Sequence, residues 1–214
     1  MAGRLRGLLA VVAAAVALGA LSACGGSGYE YVQNDDAGLY FRVPDSWTVL
    51  EVEETDSGRP APAVATPDPW LRLIDRSPTP GAGNYQASLP GYPVGLASVR
   101  AVESAEARDG LDYATLRSSV LGEDPLVLAD EPGGTLELVD GYDITTDEGL
   151  RGQRLVYSVQ VEGDRYVTYD HTALVNENTT EVYELLLKCE ATCYEANRGE
   201  IDDIVDSWTI EQES

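Results

Sequence analysis

The residues whose types and spacing most clearly specify chemistry are Leu21-Ser22-Ala23-Cys24. They close a segment that opens on Arg4 and Arg6 and continues as an apolar run from Leu8 to Leu21. A positive start, a short apolar stretch and a small-residue exit are the anatomy of a secretory signal. A small-residue pair before cysteine is the lipobox of bacterial lipoproteins. The chemistry is done to the chain: diacylglyceryl transfer to the Cys24 thiol, cleavage before Cys24 and often acylation of the new amine. The apolar run is shorter than the roughly 20 residues a membrane span needs. Gly25-Gly26-Ser27-Gly28 follows where a stop-transfer signal would carry Lys or Arg. Leu5 separates Arg4 from Arg6, so the twin-arginine route does not apply. Two or three acyl chains, at about 0.8 kcal/mol per buried methylene, anchor stably. Residues 1–23 are thus read as a signal peptide and Cys24 as the lipid attachment site. The expected location is the outer face of the cell membrane.

The other two cysteines are Cys189 and Cys193. Outside the cytoplasm an even pair is expected as a disulfide. The spacing is C-x-x-x-C, which is not the redox motif. His171 is the only histidine, so no zinc set can be assembled, and no metal is expected. Phosphate-cradling and dinucleotide-binding glycine patterns are missing from the sequence, so no cofactor is expected.

Catalysis has little support. On an alternating strand His171 shares a face with Val167, Tyr169, Ala173 and Val175, while Asp170 points the other way. A structural histidine fits that pattern better than a general base without an activated nucleophile. There is no G-x-S-x-G elbow, and Ser207 fits a helix end. No catalytic residue is assigned. Asp140, Asp143, Asp147 and Glu148 lack the alternate-position spacing of a calcium loop. Asp202, Asp203 and Asp206 read as a solvated acidic face. Tyrosine is in excess, 12 against one Phe. Tyr157, Tyr166, Tyr169 and Tyr183, with His171, form the candidate binding surface, because tyrosine offers an apolar body and a polar tip to a sugar, lipid head or peptide. The competing reading is that tyrosine simply suits strands exposed at one edge.

Acidic residues outnumber basic ones, 37 to 14, for a net charge of −23. Nucleic-acid binding requires a basic footprint and is excluded on this ground. Docking on anionic lipid by charge is disfavoured as well. The expected membrane contact is the N-terminal lipid.

Residues 24–36 are Gly-rich and then polar, and read as a flexible tether, with one globular domain over 37–214. Residues 39–43 and 47–52 are strand candidates around Pro44-Asp45-Ser46, predicting a β-hairpin with Trp47 starting its second strand. Residues 55–93 form a long Pro-rich loop, broken only by a strand candidate at 70–74. A strand over 94–102 and a helix over 109–121 follow, the helix capped by Asp109 and ended by Gly122. Alternation over 153–161, 165–175 and 181–188, with short turns between, predicts an antiparallel three-strand meander. In a final helix after Cys193, Tyr194, Ile201, Ile204, Val205 and Trp208 share one face.

Leu39-Tyr40-Phe41-Arg42-Val43-Pro44-Asp45-Ser46-Trp47 resembles the opening of PsbP-like domains, where an apolar strand runs into a Pro-x-x-Trp turn. The ending Ile204-Val205-Asp206-Ser207-Trp208-Thr209-Ile210 resembles the final helix of that family and its exit into a short strand. Actinobacterial lipoproteins of the LpqN type are similar in lipobox and opening. The resemblance implies an α+β fold: an antiparallel sheet, built of the hairpin and the meander, flanked by helices as an α/β/α sandwich. In it Trp47 and Trp208 are core anchors. Such domains generally serve accessory and binding roles, and fold alone does not imply function. The expected function is a non-catalytic binding or accessory module for an envelope protein or small ligand. The alternative is a lipid or sugar carrier with a pocket between sheet and helix, followed by an envelope hydrolase. An enclosed apolar cavity would favour the carrier, and His171 exposed in a cleft with a carboxylate in reach would favour the hydrolase.

Overall fold

A computed structural model describes residues 28–51 and 69–211. Cys24 and residues 52–68, which include the first part of the Pro-rich stretch, lie outside the described residues. In chain order the elements are β1 (Tyr29–Asn34), β2 (Leu39–Pro44), β3 (Thr48–Glu51), β4 (Trp70–Asp75), α1 (Ala82–Gln86), β5 (Val94–Ala101), α2 (Ala105–Asp109), α3 (Tyr113–Ser118) and α4 (Pro125–Ala129). Then come β6 (Leu136–Thr145), β7 (Arg151–Glu162), β8 (Arg165–Val175), β9 (Glu181–Glu190), α5 (Ala191–Asp206) and β10 (Thr209–Ile210). The fold is α+β with antiparallel sheets. One sheet has the order β1-β2-β10 and the other β3-β4-β5-β9-β8-β7-β6.

The larger sheet is covered on both faces. Side chains alternate across each strand. Ile74, Ala97, Leu185, Leu187 and Leu174 face α5 and the small sheet, where Phe41, Val43, Tyr194, Ile201 and Ile204 complete the main core. The opposite face packs Leu73 and Leu96 against Tyr85 of α1, Ala173 and Val175 against Leu116 of α3, and Leu155 and Tyr157 against Leu126 of α4. Helices on one side, a sheet in the middle and α5 on the other make the expected sandwich.

The expected meander forms, β7 pairing β8 and β8 pairing β9 in antiparallel register. Period-2 alternation and two short turns specify those neighbours locally. β6 extends it to four strands, pairing with β7 through a register shift between Leu138 and Asp140. That shift and its exposed, polar sequence hide β6 from an alternation test.

Three expectations are corrected. The hairpin does not form: β2 and β3 enter different sheets, β2 between β1 and β10, and β3 beside β4. Both edges of β2 are already taken, so the turn at Pro44, where Trp47 N donates to Pro44 O, passes the chain to the second sheet instead. The tether is shorter than 24–36, because Tyr29 to Asn34 pair with β2 as a strand. Val32 is buried while its neighbours are exposed, so this strand buries too few side chains to register as apolar. The helix over 109–121 is cut to α3, since Asp112 and not Asp109 caps it, accepting from Thr115 N at 2.7 Å. Gly122 does adopt the expected left-handed conformation, with φ of 80°. Within the Pro-rich stretch β4 forms as expected, and α1 adds an element there.

Two glycines are required by close approach. Gly38 has φ of 61°, and its O accepts from Glu211 N at 2.8 Å, closing β10 onto β2. A Cβ there would run into Glu211 O. Gly152 lies inside β7, where a Cβ would run into Ala173 O.

Candidate functional site

The buried polar groups come first, because they test the catalytic reading. His171 sits on β8 with 2% of its surface exposed. Its Nε2 lies 2.9 Å from Oε1 of Glu184 on β9, and Ser119 Oγ donates to the same oxygen at 2.6 Å. The carboxylate therefore stands between histidine and serine. A nucleophile must instead touch its base directly, with the acid behind. From this buried position His171 ties β8 to β9 and, through the shared carboxylate, to Ser119 at the end of α3.

The four tyrosines do not make one surface. Tyr157 and Tyr169 stack with ring centroids 5.3 Å apart on the α4 side of the sheet, and Tyr157 is fully buried. Tyr183 is buried on the opposite face, in the main core. Tyr166 is half-buried near the start of β8. Alternation alone assigns 183 and 157 to opposite faces, because β9 pairs β8 with residue 183 beside 174, while 157 pairs 169. Trp47 is buried in the main core as expected, whereas Trp208 is only partly buried, packing on Phe41 with centroids 5.2 Å apart. Cys189 and Cys193 form a disulfide that ties the end of β9 to the first turn of α5.

Lys188 packs beside the stacked tyrosines, its Nζ 4.8 Å from the Tyr85 ring centroid and 5.8 Å from that of Tyr169. Burial pulls its pKa down from 10.5 to about 8. The folded chain thus releases this proton near pH 8 while the unfolded chain holds it towards 10.5, so unfolding takes up a proton in that window and stability rises with pH. Burial raises the pKa of Tyr157 and Tyr169, which reverses the slope once unfolded tyrosines ionise near 10. Urea unfolding is therefore expected to show stability increasing from about pH 8 to about pH 10, and Lys188→Met to remove that rise. An unchanged slope in the variant would assign the effect to other groups.

On the other face of the sheet, Arg154 makes a paired contact with Asp170, Nε to Oδ1 at 2.8 Å and Nη2 to Oδ2 at 2.6 Å. Tyr194 Oη donates to Asp170 Oδ2 at 2.8 Å, and Arg154 Nη2 also reaches Asp202 Oδ1 at 3.0 Å. The hydrogen bonds to Asp170 hold the Arg154 guanidinium protonated well above its usual range. Asp202 and Asp203 are thus engaged rather than purely solvated, Asp203 accepting from Tyr29 Oη at 3.2 Å. This network was readable in part: with Leu155 and Tyr157 on one face, Arg154 and Asp170 must share the other.

Beside the network, a cleft of about 760 Å³ opens between the β6–β8 end of the larger sheet and the segment following α5. Leu150, Leu174 and Thr172 are buried in its floor, and Tyr142 and Trp208 form aromatic walls. Glu148, Asp206 and Glu211 are exposed at its rim. Of the residues singled out in the sequence, it brings together Glu148, Val205, Asp206, Trp208, Thr209 and Ile210. Tyr142 and Thr172 were missed, since they meet only when β6 and β8 flank β7. Among the described residues, no group of three or more His, Cys, Asp or Glu is placed to hold a metal ion, and no helix is long and apolar enough to cross a membrane.

The sequence matches no protein-family model, and no curated protein matches it. Solved structures similar in chain path include cyanobacterial PsbP (CyanoP) from Synechocystis, at 16% identity over 89% of this chain and 99% of that chain, with a TM-score of 0.49. LpqN of Mycobacterium tuberculosis, described as involved in cell envelope biogenesis, is similar at 16% identity over 88% of each chain, with a TM-score of 0.48. The Ran-binding protein Mog1p of Saccharomyces cerevisiae is more distant, at 8% identity over 85% of this chain and 95% of that chain, with a TM-score of 0.41.

Proposed function

We propose that this chain is a lipid-anchored, non-catalytic binding module at the outer face of the cell membrane, and that the cleft is its binding surface. The observation that supports the reading is the placement of the cleft relative to Tyr29, where β1 begins. Only Gly25 to Gly28 separate Cys24 from the first residue of β1. Even fully extended, that stretch spans about 17 Å. Tyr29 pairs with Pro44 at one end of β2, while Ile210 of the cleft pairs with Leu39 at the other. A lipid on Cys24 therefore holds the Tyr29 end towards the bilayer and leaves the cleft wall at the far end of the small sheet. The buried His171 and its intervening carboxylate favour binding over hydrolysis. The cleft stays open to solvent along Tyr142, which favours an interaction surface over a carrier that sequesters its ligand.

Cell fractionation tests the anchor: the wild-type chain is expected in the membrane pellet and Cys24→Ala in the medium or soluble envelope fraction. Membrane retention of the variant would overturn it. A photo-crosslinking residue at Thr209 in intact cells tests the cleft, with Glu103 as the remote control position. Adducts specific to position 209 are expected, and identical products or none at both positions would overturn the cleft as the binding surface.

A further inference from the structure

We propose that the cleft takes a basic peptide segment, a lysine or arginine side chain presented by another polypeptide. The inference rests on the reading of the cleft as the binding surface and concerns what occupies it. Glu148, Asp206 and Glu211 stand at the rim, and among the described residues no lysine, arginine or histidine lines the cleft. The nearest buried cation beneath it, Arg154, is already engaged by Asp170 and Asp202. An anion entering the cleft meets three carboxylates without compensation, whereas an ammonium or guanidinium gains from each. The walls act in the same sense. The faces of Tyr142 and Trp208 attract cations and accept the apolar stem that carries them.

Two orphan groups narrow the choice to a peptide. Thr172 Oγ1 and Trp208 Nε1 are buried and have no hydrogen-bond partner among the described residues. Both residues line the cleft, and Thr172 is only 4% exposed. An indole N–H only donates, so the occupant that satisfies it brings a neutral acceptor as well as a cation. A lysine or arginine within a peptide supplies all three parts: charged head, apolar stem and main-chain carbonyl. A free alkylamine lacks the carbonyl.

The test uses the mature lipidated chain in nanodiscs, screened against a library of blocked hexapeptides of random sequence. Selected peptides are expected to be enriched in Lys and Arg. Their affinity is expected to fall about tenfold or more in the triple variant Glu148→Gln, Asp206→Asn, Glu211→Gln. A control triple of the same charge change at the exposed Glu30, Glu103 and Glu106 is expected to lose less than about twofold. All six positions are exposed, so both variants fold. Selection of neutral or acidic peptides, equal losses in the two triples, or hexylammonium binding as tightly as the peptides would overturn the proposal. If crosslinks from position 209 persist unchanged in the first triple, the cleft binds but its occupant is not cationic.

Discussion

Asp170→Ala is expected to lower the unfolding free energy by about 3–5 kcal/mol, the cost of breaking a buried ion pair from one side. The Asp170 side chain has no exposed surface, and it accepts from Arg154 through both oxygens and from Tyr194. Alanine would leave a guanidinium that is only 12% exposed with Asp202, itself 40% exposed, as its remaining carboxylate. It would also strand the Tyr194 hydroxyl. In the intact protein burial, followed by the Asp170 charge, raises the pKa of that hydroxyl, and burial remains in the variant, so it does not escape by ionising. The damage falls on the contact of α5 with β7 and β8. Urea unfolding with circular dichroism measures it, and at this chain length the melting temperature should drop by about 6–20 °C. The triple change Arg154→Met, Asp170→Leu and Tyr194→Phe is expected to recover most of the loss, because apolar groups of similar volume avoid the desolvation cost of the charges and leave no hydroxyl unpaired. A loss below about 1 kcal/mol for Asp170→Ala would mean that Asp202 and water compensate the arginine.

Trp47→Ala is expected to cost about 3–5 kcal/mol as well, for a different reason. Its indole is 3% exposed within the main core, and Nε1 donates to Glu200 Oε2 at 2.7 Å. The same oxygen accepts from Arg76 Nε at 2.8 Å. Burial alone would raise the Glu200 pKa, but the bonds from Arg76 and Trp47 hold its carboxyl below the usual range. Alanine removes the ring, opens a cavity and deprives Glu200 of one donor. Trp47→Phe keeps most of the volume and leaves Arg76 in place, so its cost should be about half that of alanine, reflecting chiefly one hydrogen bond to a charged group. Calorimetric unfolding of the two variants separates packing from hydrogen bonding. Equal losses would assign the effect to the lost hydrogen bond, and a negligible loss in both would mean that the corner repacks.

Trp47 also marks how far the sequence reaches. Its burial was expected from the resemblance of residues 39–47 to the PsbP-like opening, in which this tryptophan is a core anchor. Its partner was not, because Glu200 lies 153 positions away on a helix whose acidic side was read as solvated. The same limit applies to His171. Its strand face was predicted correctly, but the Ser119 and Glu184 contacts that disqualify it as a base depend on where α3 packs. The cleft was less legible still. Trp208, Glu148 and Asp206 were each noticed, but for other reasons, and nothing near them in sequence indicates that they share a rim.

The local pattern was sufficient for the meander, the final helix and the Cys189–Cys193 pair. Alternation, helical spacing and short turns are properties of neighbouring residues. They exist before the chain folds, and the entropy of closing a long loop does not enter into them. The hairpin failed on the opposite ground. Whether β2 pairs with β3 or with β1 and β10 depends on which strand edges are free once 28–51 and the C-terminal segment have met, and alternation is silent about edges. The cleft likewise exists only where β6, β8 and the residues after α5 converge. Burial across the assembled sheet assigns Tyr157 and Tyr183 to the interior, half-buries Tyr169 and leaves Tyr142 exposed at the wall, a distinction no tyrosine count could make.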